Sequence, residues 1–423
     1  MTGLAEELDQ ASRTPTRWRA RLRSAAVDLL PQRARVEPLE RGWAWPVLAV
    51  WAAGRALNVT LLWVAYFSSR IAGWTFGPDG ERAHTFLDFL SGWDAERYGA
   101  IATTGYPVSL PTDASGAVER NNWAFLPVFP LLERTVSDLT GLPWQVIGVL
   151  ISVAASAAAT LALFALLRSV TDARAARWAV VLFSFGPLSF VFVLGYAESL
   201  FLVLLFSALL LAVRRRYLSI APLGVIAAFT RPGAVALALG LGILLLLRWM
   251  LRDRDPLTRS EVIGLVVSGG ATAICGVMWP VIADAVTGQA GTYVRSEMAW
   301  WVPFLGEGSF LPLAPCLVMG WTWLGPLGVA LFVLLVGAVF RWILSAQVRR
   351  LGIEVVGFAL SYTLYLFAVF LPTQSLARLV LPLTPLLADS RLSASARARR
   401  WSLGGSFALQ AVAVYLLWAL GNP

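Results

Sequence analysis

Lysine is absent from the 423 residues, histidine occurs once and cysteine twice. Each scarcity removes a class of chemistry. The single histidine, His84, cannot build a metal cluster alone, because a zinc site draws on several ligands. A lipid phosphatase would also lack the histidines or paired acids that its acid–base steps need. Cys275 and Cys316 lie in apolar surroundings and read as packing residues, not as a disulfide or a metal pair. Charge is scarce too: 14% of residues are charged and 58% are hydrophobic, where a soluble domain carries about 25% charged residues. No internal repeat or low-complexity tract occurs. Residues 1–43 are polar and Arg-rich, with no short apolar core and small-residue cleavage site, so no cleavable signal is expected.

What remains is long apolar runs separated by arginine clusters, the pattern of a polytopic all-α membrane protein. All 34 basic side chains are arginines, a bias that fits a GC-rich genome, and the net charge is +9. The loops hold no interleaving of basic and aromatic residues, so no nucleic-acid partner is expected. Orientation in a membrane accounts for the charge better. About eleven spans are expected, over Ala44–Phe67, Trp144–Leu167, Trp178–Gly195, Ala197–Val213, Ser219–Thr230, Gly233–Leu247, Val262–Asp284, Trp323–Phe340, Val355–Leu371, Leu379–Leu387 and Leu403–Leu420. Ser219–Thr230 and Leu379–Leu387 are short for a span and suggest broken or tilted helices.

Most of the arginines fall on alternate connections, including Arg214-Arg215-Arg216, Arg252, Arg254, Arg349-Arg350 and Arg397 to Arg400. By the positive-inside rule these connections and the N-terminus are cytoplasmic. The expected organisation is a cytoplasmic Arg-rich segment over 1–43 and a transmembrane domain over 44–423 in the cell membrane. Two long outer loops follow, 68–143 and 285–321. A loop as long as the first needs structure of its own. Phe86–Ala102 and Trp123–Leu139 read as amphipathic helices on the membrane surface.

Polar residues at the outer edge are the candidates for chemistry. Asp94 and Glu96 form a D-x-E pair where a lipid phosphate would lie; the alternative is a helix-capping aspartate beside a solvated glutamate. Glu198, after Tyr196, suits orienting a substrate hydroxyl, pairing with an arginine or capping a helix. Arg231 and Arg378 stand at apolar boundaries, where a guanidinium is costly without a partner. Phosphate contact and snorkelling to the interface are the two readings of each. Arg55 lies near the middle of the first span, as a functional residue or paired with Glu198 or another buried acid. Tyr293, Glu297, Trp300 and Trp301 line a groove or belong to an interfacial aromatic belt. Asp253-Arg254-Asp255 is a literal D-x-D, but it sits in an arginine-rich inner loop and reads as part of the topology signal.

Trp93-Asp94-Ala95, Tyr98, Ile101-Ala102 and Gly105-Tyr106 together resemble the first-loop signature of the PIG-V-like mannosyltransferases, within the GT-C superfamily. That pattern is close to W-D-x-x-x-[YF]-x-x-I-A-x-x-G-Y. Trp123-Ala124-Phe125-Leu126-Pro127-Val128-Phe129-Pro130-Leu131-Leu132 is similar to the family's A-F-[FL]-P-x-[YF]-P-L-L block. Tyr196-Ala197-Glu198-Ser199 resembles its Y-[ST]-E-[SA] turn, Arg231-Pro232-Gly233 its T-R-x-G turn, and the Ser375 to Leu379 stretch its S-x-x-R-[YL] segment. Arg97 departs from the pattern, standing where a histidine or an aromatic is more usual. The resemblance implies a GT-C-like bundle that moves a sugar, mannose in this family, from a polyprenyl-phosphate donor to a glycolipid, lipoglycan or protein acceptor at the outer face. No cofactor is expected, and nothing in the residues suggests a metal site. The resemblance places the catalytic base at Asp94, and the expected substrate contacts are Trp93, Arg97, Tyr98, Tyr196, Glu198, Arg231 and Arg378, with Glu96 and Arg55 added on their placement alone. A multi-spanning lipid or sugar-lipid flippase without chemistry is the alternative.

Overall fold

A computed structural model describes residues 39–76, 82–306, 310–371 and 375–421. The Arg-rich segment over 1–43 therefore lies mostly outside the described residues. Among those described the chain is helical, and its only β pairing is an isolated bridge between Thr112 and Val118. It is a membrane protein of many apolar helices.

The chain first runs as α1 (Ala44–Ala72) and then through a structured loop holding α2 (Phe86–Leu90), α3 (Asp94–Thr104) and α4 (Val128–Thr140). There follow α5 (Trp144–Arg168), α6 (Ala173–Phe185), α7 (Glu198–Val213), α8 (Ile220–Ala228), α9 (Ala234–Met250) and α10 (Arg259–Thr287). Two short helices, α11 (Thr292–Ala299) and α12 (Val302–Leu305), precede α13 (Ala314–Leu324) and α14 (Pro326–Ile343). The last elements are α15 (Ala346–Arg349), α16 (Ile353–Val369), α17 (Leu376–Leu379), α18 (Ser390–Ser393) and α19 (Ala396–Ala413).

Five helices are long and apolar enough to cross a bilayer: α1, α5, α10, α14 and α19 with its π-helical extension to Ala419. Five shorter apolar helical stretches, such as α9 and α16 at 17 residues each, complete the bundle. Seventeen residues span about 25 Å, somewhat less than a hydrocarbon core of about 30 Å.

The expected spans depart from the structure where proline and glycine break the helical ladder. The stretch Trp178–Gly195 is interrupted at Gly186-Pro187 and resumes as a 3₁₀ helix over Ser189–Val193. The expected span Leu379–Leu387 is a 3₁₀ helix over Leu381–Ala388 containing Pro382 and Pro385, whose missing N–H groups prevent a continuous α ladder. The second loop is not a simple connection either: α11, α12 and the start of α13 fall inside 285–321. In the first loop, the single helix expected over Phe86–Ala102 is two, broken at Ser91-Gly92-Trp93.

Packing is close where small residues allow it. At Gly54, α1 rests directly on the Ser184 carbonyl of α6, and any side chain there would collide with it. The same strategy admits a carboxyl at Gly148 of α5. The Glu133 side chain of α4 occupies the space that a Cβ at Gly148 would need. Glu133 is fully buried, and neither of its carboxyl oxygens has a hydrogen-bond partner. Burial pushes this carboxyl up to about 9. The unfolded chain, with an ordinary glutamate, releases its proton at much lower pH, so folding becomes less favourable as pH rises from about 4.5 to 9. Glu133→Gln removes that dependence. Its unfolding midpoint is expected to match wild type near pH 5 and to exceed it at pH 8, with the gap widening by up to about 1.4 kcal/mol per pH unit. Midpoints measured across that range by thermal unfolding in detergent check this, and a constant gap would refute it.

At the end of the bundle reached by the Arg214 to Arg216 turn, Asp255 accepts from Arg215 at 2.7 Å and Arg248 at 3.1 Å. Arg248 also meets Glu261 at 3.1 Å, and its side chain is 2% exposed. The second acid of the literal D-x-D is thus held by two arginines, and the motif has a structural partner set. Asp255→Asn removes one of the two acids that hold Arg248 and leaves Glu261 as its carboxylate partner, a loss of about 1–3 kcal/mol. A lower thermal unfolding midpoint without loss of the Asp94-dependent activity proposed below is the expected result.

Candidate functional site

The helix α3 places the site. Trp93, immediately before it, has φ of 58°, a backbone region that costs a residue with a side chain about 1–3 kcal/mol. Gly92 precedes it and packs where the Phe76 ring leaves no room for a Cβ. This kink turns the chain so that Asp94 opens the helix at its positive end, with Glu96 half-buried on the same first turn. The Asp94 N–H donates to the Tyr196 hydroxyl at 3.4 Å.

Four charges from four separate segments meet here. Asp94 Oδ2 lies 2.6 Å from Arg378 Nη1, which also donates to Glu198 Oε1 at 2.9 Å. Arg231 Nη1 reaches the same Glu198 oxygen at 2.7 Å. Two carboxylates and two guanidiniums balance, which is what makes so buried a group of charges tolerable. Exposure is graded across it: the Asp94 side chain is 19% exposed, Arg231 13%, Arg378 9% and Glu198 5%. Asp94 is therefore the member that faces the solvent-accessible side. Glu198 Oε2 and Arg378 Nε are buried without partners, leaving one acceptor and one donor unused.

The walls are aromatic. The Arg378 guanidinium lies 4.9 Å over the fully buried Tyr196 ring, and Ser152 of α5 donates to the Tyr196 carbonyl at 2.6 Å. Tyr98, one turn along α3, packs on Phe129 at 5.0 Å and Phe125 at 5.5 Å. Tyr106 stacks on Trp123 at 4.7 Å. The two conspicuous sequence blocks of the first loop are thus packed against each other. The Val128 N–H then donates to the Phe229 carbonyl at 3.1 Å, fixing the second block to the turn that carries Arg231.

The structure treats the remaining candidates differently. Arg55 is not paired with Glu198: it donates to the Ser184 carbonyl at 3.0 Å and lies 4.9 Å over Phe192. These two helix-packing contacts hold it without an acid, and its Nε and Nη1 have no partner. Arg97 stacks on Trp300 at 5.4 Å, and Arg120 on the same ring at 5.1 Å. Glu297 of α11 belongs with the site more closely than its place in the second loop suggests. Its carboxylate accepts from Tyr293 at 2.9 Å, and Asp94 and Arg231 both act on it electrostatically. Burial first, opposed by the Tyr293 hydrogen bond, raises Glu297 to about 7. Its sequence signal was weak, since an acid among interfacial tryptophans looks like an ordinary belt residue. Among the described residues no three His, Cys, Asp or Glu side chains gather at one point as a metal site would require.

No family model and no curated protein matches the sequence. Among solved structures, the chain is similar to the crystal structure of the Archaeoglobus fulgidus oligosaccharyltransferase complex with zinc and sulfate. That likeness has a TM-score of 0.42 and 12% identity, covers 88% of this chain and spans about half, 52%, of the other.

Proposed function

We propose that this protein is a GT-C-type membrane glycosyltransferase that moves a sugar from a polyprenyl-phosphate donor to an acceptor hydroxyl with inversion. Mannose is the sugar favoured by the first-loop resemblance, and a glycolipid, lipoglycan or protein side chain is the acceptor. The observation that carries this reading is the partly exposed Asp94 carboxylate set beside two buried, charge-balanced arginines. In the proposed step the acceptor oxygen attacks the anomeric carbon on the side opposite the phosphate. Its proton passes to Asp94 as the new C–O bond forms. The bond from carbon to phosphate oxygen breaks with its electron pair going to that oxygen, and polyprenyl phosphate leaves. Phosphate departs readily, so one carboxylate suffices, unlike the acid pair of glycoside hydrolysis.

The neighbours divide the remaining work. Arg378 holds Asp94 until the donor arrives; its unpartnered Nε then has an acceptor in the phosphate, an electrostatic role suited to a partly dry site. Arg231 holds one oxygen of Glu198, and the free Glu198 Oε2 accepts from a sugar hydroxyl. Arg97 on its Trp300 platform, with Tyr98, Glu96 and the Trp93–Tyr196 wall, shapes the headgroup space. The arginine-rich ends of the helices face the cytoplasm and the site opens to the outer side of the cell membrane, by the distribution of arginine.

The test combines purified protein, radiolabelled polyprenyl-phosphate mannose and a membrane-lipid extract. Label is expected in a new product with wild type and not with Asp94→Asn. A folded Asp94→Asn protein that transfers label at the wild-type rate would falsify the assignment. Label left on the donor by both, with flipping of the donor in liposomes, would make the protein a transporter.

A further inference from the structure

The helices that leave the Asp94 site lead to a second polar feature at the opposite end of the bundle. From Glu198 the chain traces back through the 3₁₀ helix and α6 to Asp172; α6 alone covers about 20 Å. From Arg378 it runs forward through the 3₁₀ helix Leu381–Ala388 to Ser390. Both paths end at one open cleft of about 760 Å³. Three separated segments line it: Asp172 to Arg177, Gln347 to Arg350, and Ser390 to Ala394.

Its chemistry is strongly one-sided. Arg174, Arg177, Arg350 and Arg391 face the cleft, against Asp172 as the lining acid. The Asp172 carboxylate is already committed, accepting from the Arg174 and Ala175 N–H groups as the cap of α6. Arg391 is bound to Asp389 at 2.5 Å. Arg174, Arg177 and Arg350 are exposed, and among the described residues no carboxylate pairs with them. Ser390 and Gln347 add hydrogen-bonding groups to the lining. Arginines that serve only to set topology need to be in the right connection. They do not need to converge on one cavity from separate connections, with Arg174, Arg177 and Arg350 left without a carboxylate partner.

The surroundings fix the level of the cleft. Trp342 donates to Asp389 at 3.2 Å and Trp178 to Ser402 at 3.2 Å, and Trp401 is 74% exposed. Tryptophans gathered beside polar side chains mark the membrane–water interface. Leu344 beside them is 47% exposed. A cationic cavity between helices at that level matches the headgroup of an anionic lipid, with the acyl chains lying along the apolar helix faces.

We infer that the cleft between α6, α15 and α18 binds the phosphate-bearing headgroup of an anionic membrane lipid, separately from the Asp94 site. Arg174, Arg177 and Arg350 supply the clamp, since guanidinium meets phosphate oxygens in paired hydrogen bonds.

The experiment is native mass spectrometry of the purified full chain released from nanodiscs that mix phosphatidylcholine with phosphatidylglycerol. Wild type is expected to retain one phosphatidylglycerol in preference to phosphatidylcholine. The Arg174→Ala/Arg177→Ala/Arg350→Ala variant should retain it at least tenfold more weakly. Arg214→Ala/Arg216→Ala/Arg252→Ala removes the same charge from exposed positions outside the cleft and should retain it as wild type does. All substituted side chains are exposed, so the fold is expected to survive, and a thermal melt verifies it. Equal loss in both variants would reduce the effect to general surface charge and overturn the site. Unchanged retention in the first variant would overturn it as well. Displacement of the lipid by inorganic phosphate at matched concentration would reassign the cleft to a free anion and overturn the lipid assignment.

Discussion

Asp94→Asn is expected to lower the transfer rate by about 10²- to 10⁴-fold, the range that a positioned general base contributes, with little change in donor affinity. The side chains are nearly isosteric, so the Tyr196 contact to the backbone and the start of α3 are preserved. What is lost is the site for the acceptor proton. The substitution also leaves Arg378 with Glu198 as its carboxylate neighbour, so its guanidinium is freer for phosphate. Binding that holds or tightens while turnover collapses is the signature to look for, and the two are separable by measuring donor affinity without acceptor. Weakened donor binding with unchanged turnover would identify Asp94 as a contact and not a base.

Arg378→Ala is expected to be the most damaging single change to the fold at this site. Arg378 is 8% exposed and joins two carboxylates. Without it Asp94 has no guanidinium partner and Glu198 keeps only Arg231. Removal of one member of a buried charge set costs about 3–5 kcal/mol, mainly because the remaining charge is stranded. The cost is therefore expected to fall when Asp94→Asn accompanies it. A double-mutant cycle on the unfolding midpoints measures this, with a coupling of about 1–3 kcal/mol expected. Additive losses would show that the two side chains do not share an energetic contact.

The individual members of this site were visible in the sequence. Arg231 and Arg378 stood out as charges at apolar boundaries, and Asp94 and Glu198 as acids at the outer edge within the stretches that resemble the family's motifs. Their pairing was not visible, since positions so far apart are related only by the packing of α3, α7 and the turns before α9 and α17. Arg55 shows the limit from the other side. A carbonyl freed by the break at Gly186-Pro187 and a phenyl ring can host a guanidinium, and neither leaves a charge signal in the sequence. The long helices were legible from apolar length alone. The short, proline-containing stretch Leu379–Leu387 already suggested a broken helix, which the 3₁₀ segment Leu381–Ala388 is, whereas the break before Ser189–Val193 was missed because Trp178–Gly195 reads as one apolar run.

The order of the four charges along the chain also constrains how the protein is made. Asp94 leaves the ribosome first, then Glu198 and Arg231 close together, and Arg378 well after them. Glu198 finds its first counter-ion within one pair of helices, so that bond can close early in insertion. Asp94 has to wait for the much later Arg378 before its own partner is synthesised. A nascent chain cut short before Arg378 thus carries Asp94 without its guanidinium partner.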